Sequence, residues 1–239
     1  MAFIHGKSIF VLLNGHNITG YLNKIDAPYT ADTAETSCFG TENKTFIPGM
    51  KDATMSAEGL FDGDAGAVDE QLNTILSGVN TGNNMIWFPA GNILGNVGYG
   101  IYMVQTAYSV MGTKDDAVKI SMAGHSCVGR ERVKLVLALA ALAVDGSGAV
   151  NNNGAASVNG GAAYLQVTAA SGYTGNVTIK LEHSSDNFAA DISDLAVFTN
   201  VTGITHERVA ITGTIKQYVR ATYDLNGGTA TMAVALCRK

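Results

Sequence analysis

The stretch Thr41–Asp62 reads TENKTFIPGMKDATMSAEGLFD, and its two halves behave differently. The first half has no apolar period and carries the Pro48-Gly49 step, a turn signal. The second half alternates Ala53, Met55, Ala57, Gly59 and Phe61 with Thr54, Ser56, Glu58, Leu60 and Asp62, the two-residue period of a half-buried strand starting at Asp52. Behind it Val68, Leu72, Ile75 and Leu76 fall at i, i+4, i+7 and i+8. That spacing predicts one face of a short helix over Ala65–Ser77, opening near Asp64. A loop therefore feeds a strand, and the strand feeds a helix.

Toward the N-terminus, SIFVLL (Ser8–Leu13) is an apolar run ending at Asn14-Gly15, a dipeptide suited to a tight hairpin because both residues tolerate positive φ. Ile18–Ile25 is the expected partner strand. Asp26–Met50 then holds few apolar residues over a connection far longer than the usual handful. It reads as a loop that is mobile in a free subunit and ordered by neighbours, because it lacks the apolar surface to offset its own ordering entropy. Phe46, Ile47, Pro48, Gly49 and Met50 are the candidate subunit-interface residues, with Phe46 and Ile47 as anchors held at a fixed offset from the strand by the turn.

Toward the C-terminus, MIWFPA (Met85–Ala90) reads as a short buried strand carrying the single tryptophan, Trp87. Gly91, Gly95, Gly98 and Gly100 mark a turn before two alternating strands, Ile101–Met111 and Asp116–Ala123, joined by GTKD. KLVLALAALAV (Lys134–Val144) has helix-forming composition but strand-like flanks, and is taken as a strand; it is well short of the roughly 20 apolar residues that span a bilayer. DGSGAVNNNGAASVNGG (Asp145–Gly161) reads as a linker or long surface loop. Strands are expected beyond it at Ala163–Ala169, Asn176–Glu182, Arg208–Thr212, Ile215–Tyr223 and Thr229–Leu236. The last two are joined by the hairpin signal Asn226-Gly227.

The order of loop, PG, strand and helix, with the words FIPGMKDATMSAEGLFDG, resembles the major tail tube proteins of long-tailed bacteriophages over roughly Lys7–Ala123. The resemblance implies a β-sandwich flanked by one helix. It also implies subunits that form stacked hexameric rings around a channel for DNA, alongside other tail proteins, in a virion tail built in the bacterial host cytoplasm. The stretches YLQVTA, VTIKLEHSSDNFAADISDLAVF and QYVRATYDL look like a small β domain carried as an appendage by some tail and virion proteins.

Composition fits assembly. Charged residues are 15% of the 239, glycines number 28, and the net charge is -5, so the surface is weakly charged and suited to lie against other subunits. The acidic excess lies before Val133, and neither half is a basic nucleic-acid binder. A channel lining that let DNA slide would avoid holding phosphates. Cys38, Cys127 and Cys237 are far apart without metal spacing, and MAFIHGKSIF lacks the pattern of a secretory signal. Cytosolic synthesis is expected, with no cofactor and no membrane partner.

Gly124-His125-Ser126-Cys127-Val128 imitates a GxSxG nucleophile elbow, with Asp194 and His206 downstream in triad order, but the fifth position is Val128 and the chain has one clear helix where the elbow needs alternating β and α units. Gly95, Gly98 and Gly100 form GxxGxG, better read as turn glycines than as a dinucleotide fingerprint. The five histidines show no metal-binding spacing, and Asp62, Asp64, Asp69 and Glu70 read as helix-start carboxylates. The expected fold is mainly β: a tube-forming β-sandwich over residues 1–133 with one flanking helix and a long loop, then a small all-β sandwich over 134–239. A chain ending at Ala143 is expected to keep assembling. The expected function is structural and not enzymatic, with a carbohydrate- or surface-binding module as the alternative.

Overall fold

Antiparallel pairing begins with the first hairpin and runs through the whole chain. The computed structural model describes residues 4–40, 42–78 and 80–239. Thr41, where the decisive stretch begins, and the first three residues of the expected first domain lie outside the described residues. In chain order the strands are β1 (Phe10–Leu13), β2 (His16–Asn17), β3 (Leu22–Asp26), β4 (Tyr29–Glu35), β5 (Phe46–Leu60), β6 (Asn83–Phe88), β7 (Val97–Met111) and β8 (Lys119–Leu142). There follow β9 (Gly146–Ser147), β10 (Asn151–Asn152), β11 (Gly161–Ser171), β12 (Thr178–Ser184), β13 (Ser193–Val197), β14 (Thr205–Ile211), β15 (Tyr218–Asp224) and β16 (Thr229–Arg238). Among the described residues one α-helix, α1 (Val68–Ser77), stands between β5 and β6. The fold is mainly β, as the sequence indicates.

Packing divides the chain into two units. The larger takes in the chain up to Gly20, Asn83–Gly100 and Glu131–Lys239, and the smaller takes in Tyr21–Gly82 and Ile101–Arg130. This differs from the division expected at Val133, because β7 and β8 each give one end to each unit. Residue 133 falls inside an unbroken strand.

In the larger unit the strands run in the order β14-β11-β16-β8-β7-β6-β1-β2. The sheet rolls up, since β2 returns against β11 and β6 against β14. Alternate residues of β11 and β16 therefore serve two cores. Tyr164, Ala235 and Cys237 point into the roll with Phe10, Leu12 and Leu135. Leu165, Val167, Met232 and Val234 meet a second sheet, β10-β15-β12-β13, through residues such as Leu181 and Val219. Strands buried on both faces read as near-continuous apolar runs, which explains TATMAVALCR. β6 is buried at all six positions, and Trp87 on it meets Tyr99 with ring centroids 5.5 Å apart.

Local signals in this unit were right about geometry more often than about pairing. Asn14 (φ 49) and Gly15 (φ 81) make the expected turn, but the strand it returns is only the two-residue β2, and the longer pairing of β1 is with β6. Asn226 (φ 48) and Gly227 (φ 78) likewise turn the chain, yet β15 pairs with β12 while β16 pairs with β11 and β8. That turn crosses between sheets and is not a hairpin. The Asp145–Gly161 run is no free linker: Ser147 pairs with Thr222, Asn151 with Val219, and Ser157 with Ile215. Its backbone is tied to β15 and to Ile215 and Gln217 just before it. The Lys134–Val144 run is strand, as the end of β8, while β13 had no counterpart in the sequence reading.

In the smaller unit the inner half of β5 pairs with β8 from Thr54↔His125 to Leu60↔Lys119, and with β3. Ala53, Met55 and Ala57 are buried as their alternation requires. α1 buries Val68, Leu72 and Ile75 but leaves Leu76 38% exposed. Its first turn carries Asp69 and Glu70, and Glu70 accepts a hydrogen bond from the Gly66 N–H at 2.6 Å. Gln105 on β7 donates to the Leu72 carbonyl at 3.1 Å, tying strand to helix.

Candidate assembly surface

The outer half of β5 leaves the core and pairs only with β4, from Tyr29↔Ala53 to Glu35↔Phe46. The segment expected as an unpatterned loop is therefore a two-stranded ribbon. Every residue of β4 and residues 46–52 of β5 are exposed. An apolar period appears only where one face is buried, and here neither face is, so the sequence shows no alternation.

The Pro48-Gly49 step is not a turn but part of a β-bulge. Ala31 pairs with Lys51 and Thr33 with Pro48, so Gly49 and Met50 together face the single residue Asp32. A Cβ on Gly49 would stand 3.1 Å from the Asp32 Cβ, which accounts for glycine at this point. Bulges and two-stranded edges are also where a strand tolerates proline.

The ribbon's cross-links are polar. Lys44 Nζ reaches Glu35 at 3.0 Å, the Thr36 and Thr45 hydroxyls are 3.0 Å apart, and the Thr45 N–H donates to Ser37 Oγ at 3.0 Å. At its base Arg130 Nη1 donates to the Ala27 carbonyl at 2.6 Å, with its guanidinium 6.0 Å from the Tyr29 ring centre. The apolar side chains have no cover: Phe46 and Ile47 are each 55% exposed and Met50 is 81% exposed. Phe46 and Ile47 are adjacent in a strand, so they point to opposite faces of the ribbon rather than forming one docking pair. Tyr29 and Phe39 are also exposed and were not singled out from the sequence. The available signal was an aromatic side chain in a polar stretch.

The residues of the imitation triad have other engagements. Ser126 lies within β8, where its hydroxyl donates to the Gly129 carbonyl at 2.9 Å and accepts from the Val128 N–H at 3.1 Å. Asp194 pairs with Lys180 at 2.7 Å. His206 is 3.2 Å from the Asn84 amide, and burial followed by the neighbouring His16 lowers its pKa. Gly95 is a turn glycine with φ 82, but Gly98 and Gly100 lie inside β7, where they admit close neighbours. Among the described residues no group of three or more His, Cys, Asp or Glu side chains could hold a metal ion, and no helix is long and apolar enough to cross a membrane.

No family model and no curated protein matches the chain. Among solved structures it is similar to a chain from the virion of a native gene transfer agent particle, at 15% identity and TM-score 0.44, covering 54% of this chain and 97% of that one. It is similar to a chain from the sheath/tube terminator of an extracellular contractile injection system, at 13% identity and TM-score 0.44, covering 54% and 96%. Over 97% of its length it is similar to the SPP1 Dit protein, at 9% identity and TM-score 0.41, covering 99% of that chain.

Proposed function

We propose that this chain is a repeating structural subunit of a phage tail tube, and that the β4/β5 ribbon is the arm through which copies engage. The observation that carries the reading is the ribbon itself, a hydrogen-bonded hairpin holding Phe46, Ile47 and Met50 in solvent. An isolated two-stranded hairpin is marginal in water, and exposed apolar groups on such an element mark an interaction surface. Because Phe46 and Ile47 face opposite ways, the arm would be clasped on both sides. Copies arranged as stacked hexameric rings around a channel for DNA would supply that clasp. Pro48, Gly49 and Met50 set the bulge that aims the arm. The resemblance of FIPGMKDATMSAEGLFDG to tail tube sequences supports the same reading, with other tail proteins as partners.

Sedimentation velocity and negative-stain electron microscopy of the purified full chain test this. Rings or tubes of uniform width with sixfold class averages are the expected result. A chain that stays monomeric at every concentration reached and binds glycans on an array would replace the reading with a surface-binding module.

A further inference from the structure

A second surface in the larger unit has the opposite character. Where β8 and β16 pair, Val133 stands opposite Cys237 and Lys134 opposite Leu236. One step further the same register sets Arg132 beside Arg238. Strand alternation places both guanidinium groups and Lys134 on the face turned away from the interior of the roll, into which Val133 and Cys237 point. The Asn-rich segment 151–157 meets this face across a cleft of about 490 Å³, whose lining includes Arg132, Lys134, Arg238 and Lys239 with Asn152 and Asn153.

Four cations therefore share one cleft in a chain of net charge -5. Burial and then the Arg238 guanidinium hold the Lys134 ammonium below its usual range, and burial lowers Arg238 as well. The nearby carboxylate does little to relieve this. Glu131 lies 3.6 Å from Lys239 Nζ but is committed to Arg208, which donates to it at 2.7 and 2.9 Å. Lys134 Nζ donates to the Asn152 carbonyl and to Asn153 Oδ1, both at 3.3 Å. Arg238 Nε and Asn153 Nδ2 are buried donors with no hydrogen-bond partner. Arg238 Nη1 and Nη2 donate to the Asn153 and Ala155 carbonyls at 3.5 and 2.5 Å, so the acceptors facing the four cations are neutral amide oxygens, with no Asp or Glu side chain among the described lining residues.

We propose that this cleft binds a phosphate group carried by a small hydroxylated molecule, with the cationic side chains on the oxyanion and the Asn152 and Asn153 side chains on the hydroxyls. A dianion offsets more of the mutual repulsion than a single carboxylate, and guanidinium groups match phosphate geometry. The volume suits a small ligand. Among the described lining residues there is no aromatic ring, so a nucleobase would find no stacking face.

Isothermal titration of the full chain with glycerol 1-phosphate at low salt should give saturable binding, and neutral glycerol should give none. Arg132→Gln alters an exposed side chain and Lys134→Gln a half-buried one. Together they should weaken binding about tenfold or more while leaving the unfolding midpoint of R132Q alone unchanged. Adenosine monophosphate should bind no more tightly than glycerol phosphate. Absent binding, equal binding in the variants, equal binding of glycerol, or clearly tighter binding of the nucleotide would each overturn the proposal.

Discussion

Glu131 is 4% exposed in a β core and stays charged because of its neighbours. Burial pushes its pKa up, but hydrogen bonds from Arg208 and from the Tyr164 hydroxyl at 2.5 Å outweigh that and hold it below the ordinary carboxylate range. A depressed carboxylate contributes stability that is present above its unfolded pKa and is lost as pH falls through the folded one. Arg208→Met should therefore cost about 3–5 kcal/mol at neutral pH by leaving the buried Glu131 carboxylate with only the Tyr164 hydroxyl and the more distant Lys239 ammonium. In urea unfolding that penalty should shrink toward about pH 4, where Glu131 can take a proton. An equal penalty at both pH values would show that the pair contributes packing alone. Nothing in the sequence announced this network, since Glu131 and Arg208 are 77 positions apart and meet only through sheet register. Gly100 was hidden for a similar reason. A Cβ there would stand 2.9 Å from the ring of the buried Tyr164, so Gly100→Ala should lower stability by about 1–3 kcal/mol in the same assay.

Among the elements, strands with a buried face were legible, as alternation or as an apolar run, and the fully exposed β4 was not. β5 shows both cases, because its inner half alternates against a core while its outer half, equally extended, has no core to alternate against. The bulge at Gly49 and Met50 depends on the partner strand, so Pro48-Gly49 looked like a turn when read alone. The ribbon's exposure makes a specific expectation for Phe46→Ser with Ile47→Ser. Both side chains are 55% exposed, so the unfolding midpoint of the free subunit should hardly move, while assembly followed by electron microscopy should stop. Hydrogen exchange offers an independent check. Amides of β4 should exchange faster than those of β11 in the free subunit, since the ribbon is exposed and β11 is paired on both sides, and should slow after assembly. Protection unchanged by assembly would remove the ribbon from the interface.

For the whole molecule, the Gly/Asn/Ser composition of Asp145–Gly161 suggested a boundary, but composition does not report where a segment's backbone hydrogen bonds go. Those bonds run to β15, and the strands on either side of the segment share a core. A chain ending at Ala143 would lose β11 and β16, and with them the partners that cover Leu135 and Val136 at 0–1% exposure. Each such side chain returned to water costs about 1.5–3 kcal/mol. The roll would also lose Tyr164, Ala235 and Cys237 from the core that seats Phe10 and Leu12. Over Leu135, Val136, Phe10 and Leu12 the loss comes to roughly 6–12 kcal/mol, as large as the roughly 5–15 kcal/mol that keeps a typical domain folded. The truncated chain is therefore expected to lose the larger unit instead of retaining an assembling domain. Trp87 reports on this directly, being the single tryptophan, 5% exposed, on a strand of that unit. Its emission should shift to the red of the full chain's, and the near-ultraviolet dichroism of the Trp87–Tyr99 pair should collapse. Buried emission with a cooperative melt in the truncated chain would instead restore the division at Val133.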